Sequence, residues 1–282
     1  MKKTAYLTTL AIITVACIIL GSVYHIGGWV GFGIGTFFDF ISFDDDYNDS
    51  GSRRDRVTYS ENIDTFDKIE IETTVMNITI QQGDKYHLEY DCVEYMKPSF
   101  SVKNGTFKLE QPSKPRWSRN NNKSSMTLTI PSGTELSIAD ITSDVGNINI
   151  NNTGIRNITI ESDVGDIDIE SCTFETSEIE GNVGNIDLNK SNLGKTDIAT
   201  DTGDIDIIDC EFKDIEVYND IGNVDLNTSS DISNYDIELS TDLGSIDFNG
   251  NKQKRHFYQA ASGSSEIYRI SIETDIGNIS IN

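Results

Sequence analysis

The chain has 282 residues, a hydrophobic content of 37% and a formal net charge of −24. This length allows one or two domains with a sizeable core. The charge argues against a nucleic-acid partner, which needs clustered Lys and Arg. Most of the excess charge lies between Leu136 and Gly250, where 18 Asp and 8 Glu face 4 Lys and Arg.

The N-terminal end is apolar. No charged residue lies between Lys3 and Asp39, and residues 4–26 are mostly Leu, Ile, Val, Ala and Thr. About 20 apolar residues cross the roughly 30 Å core of a bilayer, and the positive end stays in the cytoplasm. We therefore predict a cytoplasmic tip at residues 1–3 and a transmembrane helix over 4–26. The protein would be a single-pass plasma-membrane protein with an extracellular C-terminal domain.

Two alternatives remain open for this segment. A cleaved signal peptide would have a shorter apolar core and a small-residue cleavage site, and no persuasive site occurs. Thr14-Val15-Ala16-Cys17 loosely resembles a lipidation motif, but Cys17 is followed by apolar residues instead of a polar tether. Residues 27–56 are predicted to form a glycine-rich juxtamembrane segment and an acidic linker.

Residues 57–135 alternate apolar and polar side chains in short runs, which is the pattern of half-buried strands. The runs cover 68–72, 77–81, 106–109 and 126–130. Asn104-Gly105 lies between two runs and predicts a hairpin turn. We expect this part to start or cap the fold.

One short phrase recurs seven times in the second half of the chain. Its centre is a glycine, flanked by Asp or Asn and followed by alternating apolar residues. The glycines are Gly146, Gly165, Gly184, Gly203, Gly222, Gly244 and Gly277, and the first five are 19 residues apart. A fixed period of about 20 residues is typical of a solenoid, in which each repeat stacks on its neighbours.

Apolar side chains recur five residues before the glycine, usually one before, two and four after, and mostly nine after. Stacked in register, they predict an all-β, single-stranded parallel β-helix with coils of about 19 residues over 136–282. The glycines would supply a backbone conformation closed to other residues, or a close approach at a corner. Residues 69–80 keep the same spacing with Met76 in place of the glycine, which predicts a degenerate terminal coil.

The cysteines do not predict a disulfide framework. Cys172 and Cys210 each follow their repeat glycine by seven residues, so they occupy one column, two coils apart. At about 4.8 Å per coil, their Cα atoms lie roughly 9.6 Å apart, beyond the approximately 7 Å reach of a disulfide. Both are predicted to be free thiols.

Four aspartates form a column three residues after the glycine: Asp168, Asp187, Asp206 and Asp225. Neighbouring carboxylates about 4.8 Å apart repel by roughly 0.9 kcal/mol even in water. Calcium bound between coils would relieve this repulsion. The simpler interpretation, a solvated face of turn and strand residues, is favoured because no Asp-x-Asp-x-Asp-Gly loop occurs. No other cofactor is predicted.

No catalytic residues are predicted. His25, His87 and His256 are far apart in sequence and show neither metal-ligand spacing nor a nucleophile pattern. A carbohydrate-active β-helix enzyme is the alternative. Its two carboxylates cannot be selected from the sequence, because any two neighbours in an acidic column meet the distance criterion.

The repeat is interrupted near its end by an insert at about residues 249–265. The insert contains a basic and aromatic set: Lys252, Lys254, Arg255, His256, Phe257 and Tyr258. Insertions in solenoids often emerge on the binding face, which makes this set a candidate partner-binding loop. A cap over the open edge of the last coil explains the insert equally well.

Residues 66–69, 104–109 and 128–134, together with the Ser/Thr-Asp-x-Gly-x-Ile-x-Ile repeats, resemble the bacterial "putative adhesin" β-strand-repeat family. This is a domain of unknown function in surface proteins, frequent in low-GC Gram-positive bacteria, and the resemblance covers residues 66–282. It implies a non-catalytic extracytoplasmic β-solenoid and transfers no active-site residue. We therefore expect a membrane-anchored binding, adhesive or envelope-stress-sensing module, with an envelope protein or cell-wall polymer as partner. A carbohydrate-active enzyme and a calcium-stabilised surface repeat protein are the alternatives.

Overall fold

The computed structural model describes residues 56–112, 124–263 and 266–282. The predicted cytoplasmic tip, the transmembrane helix over 4–26 and nearly all of the linker over 27–56 lie outside these residues. No helix that the described residues form is long and apolar enough to cross a bilayer.

The described residues form strands and two 3₁₀ helices, Glu94–Met96 and Ile232–Asn234. In chain order the strands are β1 (Arg56–Asn62), β2 (Lys68–Thr73), β3 (Asn77–Gly83), β4 (His87–Val93), β5 (Ser99–Lys103), β6 (Thr106–Glu110), β7 (Ser125–Pro131), β8 (Glu135–Val145), β9 (Ile148–Asn151), β10 (Gly154–Val164), β11 (Ile167–Glu170), β12 (Thr173–Val183), β13 (Ile186–Asn189), β14 (Lys195–Thr202), β15 (Ile205–Cys210), β16 (Asp214–Ile221), β17 (Val224–Thr228), β18 (Tyr235–Leu243), β19 (Ile246–Phe248), β20 (Asn251–Gln253), β21 (His256–Gln259), β22 (Tyr268–Ile276) and β23 (Ile279–Ile281).

The strands form two sheets. Sheet A has the order β1-β4-β7-β3-β9-β11-β13-β15-β17-β23-β19-β20, and sheet B has the order β21-β18-β22-β16-β14-β12-β10-β8-β2-β6-β5. Each regular coil contributes one strand to each sheet. Neighbouring coils pair in parallel at equivalent positions, with Ile160 opposite Ile179 in sheet B and Ile167 opposite Ile186 in sheet A. The predicted all-β fold with parallel coils is confirmed.

Aliphatic columns fill the space between the sheets, because alternate side chains of each strand point inwards. The columns five residues before and two residues after the glycine are buried throughout the regular coils: Ile141, Ile160, Ile179, Ile198 and Val217, and Ile148, Ile167, Ile186, Ile205 and Val224. Full burial of such a side chain stabilises the fold by roughly 1.5–3 kcal/mol. Cys172 and Cys210 lie in the same interior as buried free thiols, as predicted.

The residue immediately before the glycine is not part of this core, contrary to the sequence-based expectation. Val183, Ile221 and Leu243 are 45%, 46% and 58% exposed. The side chain three residues before the glycine points inwards, since Ser162 and Thr200 are buried at this position. The chain then bends at the glycine, so the side chain before the bend faces the solvent.

Glycine is required at this corner for two reasons. The φ angles of Gly146, Gly165, Gly184, Gly203 and Gly222 lie between 146° and 156°, which other residues rarely adopt. A Cβ on Gly184 would also overlap the carbonyl oxygen of Gly165 in the preceding coil. A Cβ on Gly146 would overlap the carbonyl oxygen of Met76 in the same way. Met76 therefore takes the glycine position of the degenerate coil, as predicted.

The coils do not stack in sequence order at either end. β22 and β23 lie between the coil of β16 and β17 and the coil of β18 and β19. The coil of Gly277 therefore stacks on that of Gly222, and the coil of Gly244 lies outside both. At the other end, β6 and β7 lie outside the degenerate coil of β2 and β3. Stacking of each repeat on the next in sequence is thus wrong at both ends, where long connections let the chain return.

Antiparallel strands close both ends of the stack. β1 pairs with β4 and β4 with β7, while β5 pairs with β6 through Asn104-Gly105, whose φ angles are 52° and 79°. The predicted hairpin is confirmed. At the C-terminal end, β20 pairs with β19 and β21 with β18. These caps cover the strand edges that an open stack would expose.

Candidate functional site

The register brings the four calcium candidates together. Asp168, Asp187, Asp206 and Asp225 lie directly opposite one another on β11, β13, β15 and β17, on the outer face of sheet A. Burial raises the pKa of Asp187, and the charges of Asp168 and Asp166 raise it further. Burial also raises the pKa values of Asp168 and Asp206. The column is therefore electrostatically strained when ionised.

The column does not form a metal cage. Within residues 56–112, 124–263 and 266–282, no group of three or more His, Cys, Asp or Glu side chains is placed to hold a metal ion. Calcium takes about six to eight oxygen ligands that surround it, whereas these carboxylates lie one above another along a sheet. Calcium binding by the column stays the alternative to the favoured interpretation, a solvated face of turn and strand residues.

A neighbouring column explains much of the acidic phrase in structural terms. The Oδ1 atoms of Asn147, Asp166, Asn185 and Asp204 accept hydrogen bonds from the backbone N–H of the equivalent residue in the next coil. The donor–acceptor distances are 3.1, 2.9, 3.0 and 2.7 Å. These bonds satisfy backbone donors at the tight glycine corner. Asp or Asn beside the glycine therefore serves the fold.

The basic and aromatic insert forms the C-terminal cap. Lys252 lies in β20, Lys254 and Arg255 between the strands, and His256, Phe257 and Tyr258 in β21. Arg255 Nη1 donates to the carbonyl oxygen of Asp242 at 2.8 Å, and the ring of Phe257 packs on Phe248 with centroids 5.0 Å apart. Tyr258 is 61% exposed. The insert covers the outermost coil, that of Gly244, and partner binding by its exposed side chains stays a prediction.

One cluster that sequence reasoning missed lies on β1 and β4. Ser60 Oγ is 3.0 Å from His87 Nε2, and His87 Nδ1 is 2.9 Å from Asn62 Oδ1. The order of groups is that of a hydrolytic triad. However, the Ser60 hydroxyl donates to Glu89 at 2.9 Å, so its proton is directed away from the imidazole. We interpret the cluster as a cross-strand network that stabilises the N-terminal cap.

The outer face of sheet B has a shallow depression of about 320 Å³. Ala199 forms its floor, with Glu180 and Tyr218 opposite it on the neighbouring strands. The adjacent column of lining residues is Glu178, Asp197 and Glu216. Tyr218 is 42% exposed, and a hydrogen bond with Asp220 raises the pKa of its hydroxyl to about 12. The depression therefore combines carboxylates with a neutral aromatic ring.

A largely aliphatic ridge runs along the corner beside this face. We call it the corner ridge, and in stacking order it consists of Val145, Val164, Val183, Thr202, Ile221, Ile276 and Leu243. Val183, Ile221 and Leu243 are exposed, whereas Val145, Val164 and Ile276 are half-buried. Exposed apolar side chains that lie close together mark interaction surfaces. The ridge cannot be recognised from the sequence, because its spacing from the glycine is that expected of a core position.

The sequence profile described as Toastrack DUF4097 matches residues 66–282. The chain belongs to the Toastrack DUF4097 family. The resemblance to adhesin-like β-repeat proteins is thereby confirmed over the part of the chain for which it was predicted. Among curated proteins, no significant relative was found.

Several solved structures are similar to the Toastrack chain at low sequence identity. A "putative adhesin" from Bacteroides fragilis is 18% identical, with 82% of this chain and 98% of that chain covered and a TM-score of 0.47. A "putative adhesin" from Parabacteroides merdae is 12% identical, with 82% and 97% covered and a TM-score of 0.39. A "putative lipid binding protein" from Parabacteroides distasonis is 16% identical, with 82% and 98% covered and a TM-score of 0.34.

Proposed function

We propose that this Toastrack chain is a non-catalytic binding module, held on the extracytoplasmic side of the plasma membrane by residues 4–26. The observation that carries the proposal is the corner ridge. Three of its aliphatic side chains, Val183, Ile221 and Leu243, are exposed; they contribute little to the core and are explained by contact with a partner. The partner is an envelope protein or a cell-wall polymer, and the finer role is adhesion or sensing of envelope stress.

The enzymatic alternative would act at the depression in sheet B, where carboxylates lie close together. Most glycosidases place two carboxyl groups on either side of the scissile bond. The carboxylates of the depression instead lie side by side on one open sheet face, as Glu178, Asp197 and Glu216 do. This favours binding over hydrolysis.

Location and activity are tested on the full-length chain. A C-terminal epitope tag should be degraded when protease is added to intact Gram-positive cells, and a chain lacking residues 1–26 should lose membrane association. The chain in neutral detergent should bind envelope fractions without releasing reducing sugars. A tag that is protected in intact cells would contradict the location, and polysaccharide turnover would contradict the non-catalytic role.

A further inference from the structure

The outer face of sheet B is acidic over several consecutive strands. From β10 through β12, β14 and β16 to β22, the outward residues of two columns are Thr159, Glu178, Asp197, Glu216 and Ser271, and Glu161, Glu180, Ala199, Tyr218 and Glu273. No Lys or Arg occurs among these described positions. Two cations in the next column are paired, Lys195 with Asp214 at 3.2 Å and Arg269 with Glu238 at 3.3 Å. The face therefore keeps an uncompensated negative charge.

The corner ridge adds an apolar component to the same surface. From Val183 to Leu243 it crosses four coil steps, which is about 19 Å at the spacing of neighbouring strands. Asp201 and Asp220 each precede a ridge residue by one position, so acidic groups lie between the ridge and the depression. Tyr218 presents an exposed ring within the acidic face. The surface is thus apolar along one side and acidic with an aromatic wall along the other.

We propose that this surface binds a cationic amphipathic polypeptide segment. The apolar side of the segment packs on the corner ridge, while its Lys and Arg side chains lie over the carboxylates and the ring of Tyr218. Cations bind the faces of aromatic rings, and complementary charge increases both association rate and specificity. The proposal rests on the proposed binding function and names the partner class.

The dimensions suit a helix as the bound segment. A helix of about 13 residues is roughly 19 Å long, and its turns repeat every 5.4 Å, close to the 4.8 Å spacing of the coils. Successive helical turns can therefore meet successive coils. An anionic lipid surface fits less well, because the carboxylates of sheet B would be repelled by it.

The binding test uses the full-length chain in neutral maltoside micelles. The probe is a fluorescent 14-residue helical peptide with Leu on one face and Lys on the other, compared with a peptide in which Glu replaces every Lys. We expect the Lys peptide to bind at least about tenfold more tightly at 50 mM NaCl, with affinity falling as salt rises. Equal affinities for the two peptides would overturn the proposal.

Three variants locate the binding surface. The triple variant Glu178→Gln, Asp197→Asn, Glu216→Gln should weaken binding of the Lys peptide about tenfold, because it loses three exposed ion pairs with the peptide. A control with the same change in charge, Glu170→Gln, Glu211→Gln, Asp225→Asn, should bind within about twofold of the original protein. Ile221→Ser with Leu243→Ser should weaken binding by about tenfold, because apolar contact area is lost. Equal losses in the two triple variants, or no loss in the ridge variant, would contradict the proposal.

The aromatic wall has its own test. Tyr218→Ser should weaken binding about threefold to tenfold, whereas Tyr218→Phe should retain it because the ring is kept. Melting temperatures no lower than that of the original protein show that each variant remains folded. Binding to phosphatidylcholine vesicles that depends on the ridge but not on the carboxylates would assign the surface to lipid instead.

If envelope fractions bind and the Lys peptide does not, only this inference fails; if neither binds, the proposed function fails as well.

Discussion

Two glycines three residues apart in one coil have different structural roles. Gly184 has a φ of 149°, and a Cβ there would overlap the Gly165 carbonyl. Gly181 points inwards from β12, where a Cβ would lie 3.6 Å from Ile186 Cδ1 and Thr200 Oγ1, an ordinary contact distance. We expect Gly184→Ala to lower the free energy of unfolding by roughly 2–5 kcal/mol, through backbone strain and overpacking.

The matched control is Gly181→Ala, which should leave stability unchanged or raise it by up to about 1 kcal/mol, since glycine in a strand is entropically costly. Urea unfolding of both variants measures the difference. Equal destabilisation by the two substitutions would mean that the assignment of the corner glycine is wrong.

A second corner, six residues after the glycine, has no glycine in the first four regular coils. Asn152, Ser171, Lys190 and Asp209 have φ angles of 53°, 57°, 49° and 54°. This left-handed conformation costs most residues about 1–2 kcal/mol, and Asn less. Ser171→Gly should therefore raise the free energy of unfolding by about 0.5–1 kcal/mol, while Asn152→Gly should change it little. Thermal unfolding distinguishes them, and a loss of stability in Ser171→Gly would refute the strain.

The two corners show what residue patterns can and cannot predict. The Gly184 position is visible in the sequence because, in the regular coils, a Cβ would overlap a carbonyl oxygen of the neighbouring coil, so glycine recurs there. The Ser171 position is not visible, because several residue types tolerate a left-handed backbone at modest cost. No single residue type therefore recurs there. The exposure of Val183 is not visible for a related reason: its apolar character repeats, but the bend that exposes it follows from backbone geometry.

At the scale of whole strands, the aspartate column on β11, β13 and β15 should make stability depend on pH. Its carboxyls have higher pKa values in the folded than in the unfolded chain, whose ordinary value is 3.8. As pH falls from 7, the folded state takes up these protons first, so the repulsion is relieved. This column's contribution to the free energy of unfolding therefore rises between pH 7 and about pH 4.

Asp187→Asn tests this expectation, because Asp187 lies between Asp168 and Asp206. The substitution removes two repulsions of roughly 0.9 kcal/mol each in water, reduced by salt. We expect about 1 kcal/mol more stability at pH 7 and a smaller difference between pH 7 and pH 4.5. The control is Asp84→Asn, in the turn between β3 and β4.

If calcium bound the column, Asp187→Asn would instead lower the melting temperature in millimolar calcium, and chelation would destabilise the unaltered protein.

The aliphatic and aspartate columns could be predicted from the sequence because parallel pairing repeats one register. Once the period is known, residues 19 apart must lie opposite each other, as Ile167 and Ile186 do. The depression at Ala199 and Tyr218 could not be predicted in this way. It arises from a small side chain in one coil and a large one in the next, so it depends on differences between repeats.

At the scale of the whole molecule, the order of the coils is the feature that the sequence leaves open. The residue patterns around Gly222, Gly244 and Gly277 are similar to one another. They therefore do not indicate which two of these three coils are in contact. The insert between Gly244 and Gly277 is long enough to form β20 and β21 and to return the chain. The last repeat thereby occupies a place inside the stack, and the cap is built from earlier residues.

This arrangement predicts that the C-terminal strands are among the well-protected parts of the protein. β22 pairs with β16 on one side and β18 on the other, whereas β21 pairs with β18 alone. Hydrogen exchange of the full-length chain should therefore show β22 amides as protected as those of β16, and β21 amides exchanging faster. Ile272→Ala, at a buried position of β22, should lower global stability by about 2–5 kcal/mol.

Phe257→Ala, in β21, is the matched control and should mainly increase exchange within the cap, because its strand can separate without opening the central coils. Hydrogen exchange resolved by peptide, together with urea unfolding, measures both effects. In a solenoid stacked in sequence order the last repeat would fray first. Faster exchange in β22 than in β21 would therefore mean that the C-terminal coil lies at the end of the stack and not within it.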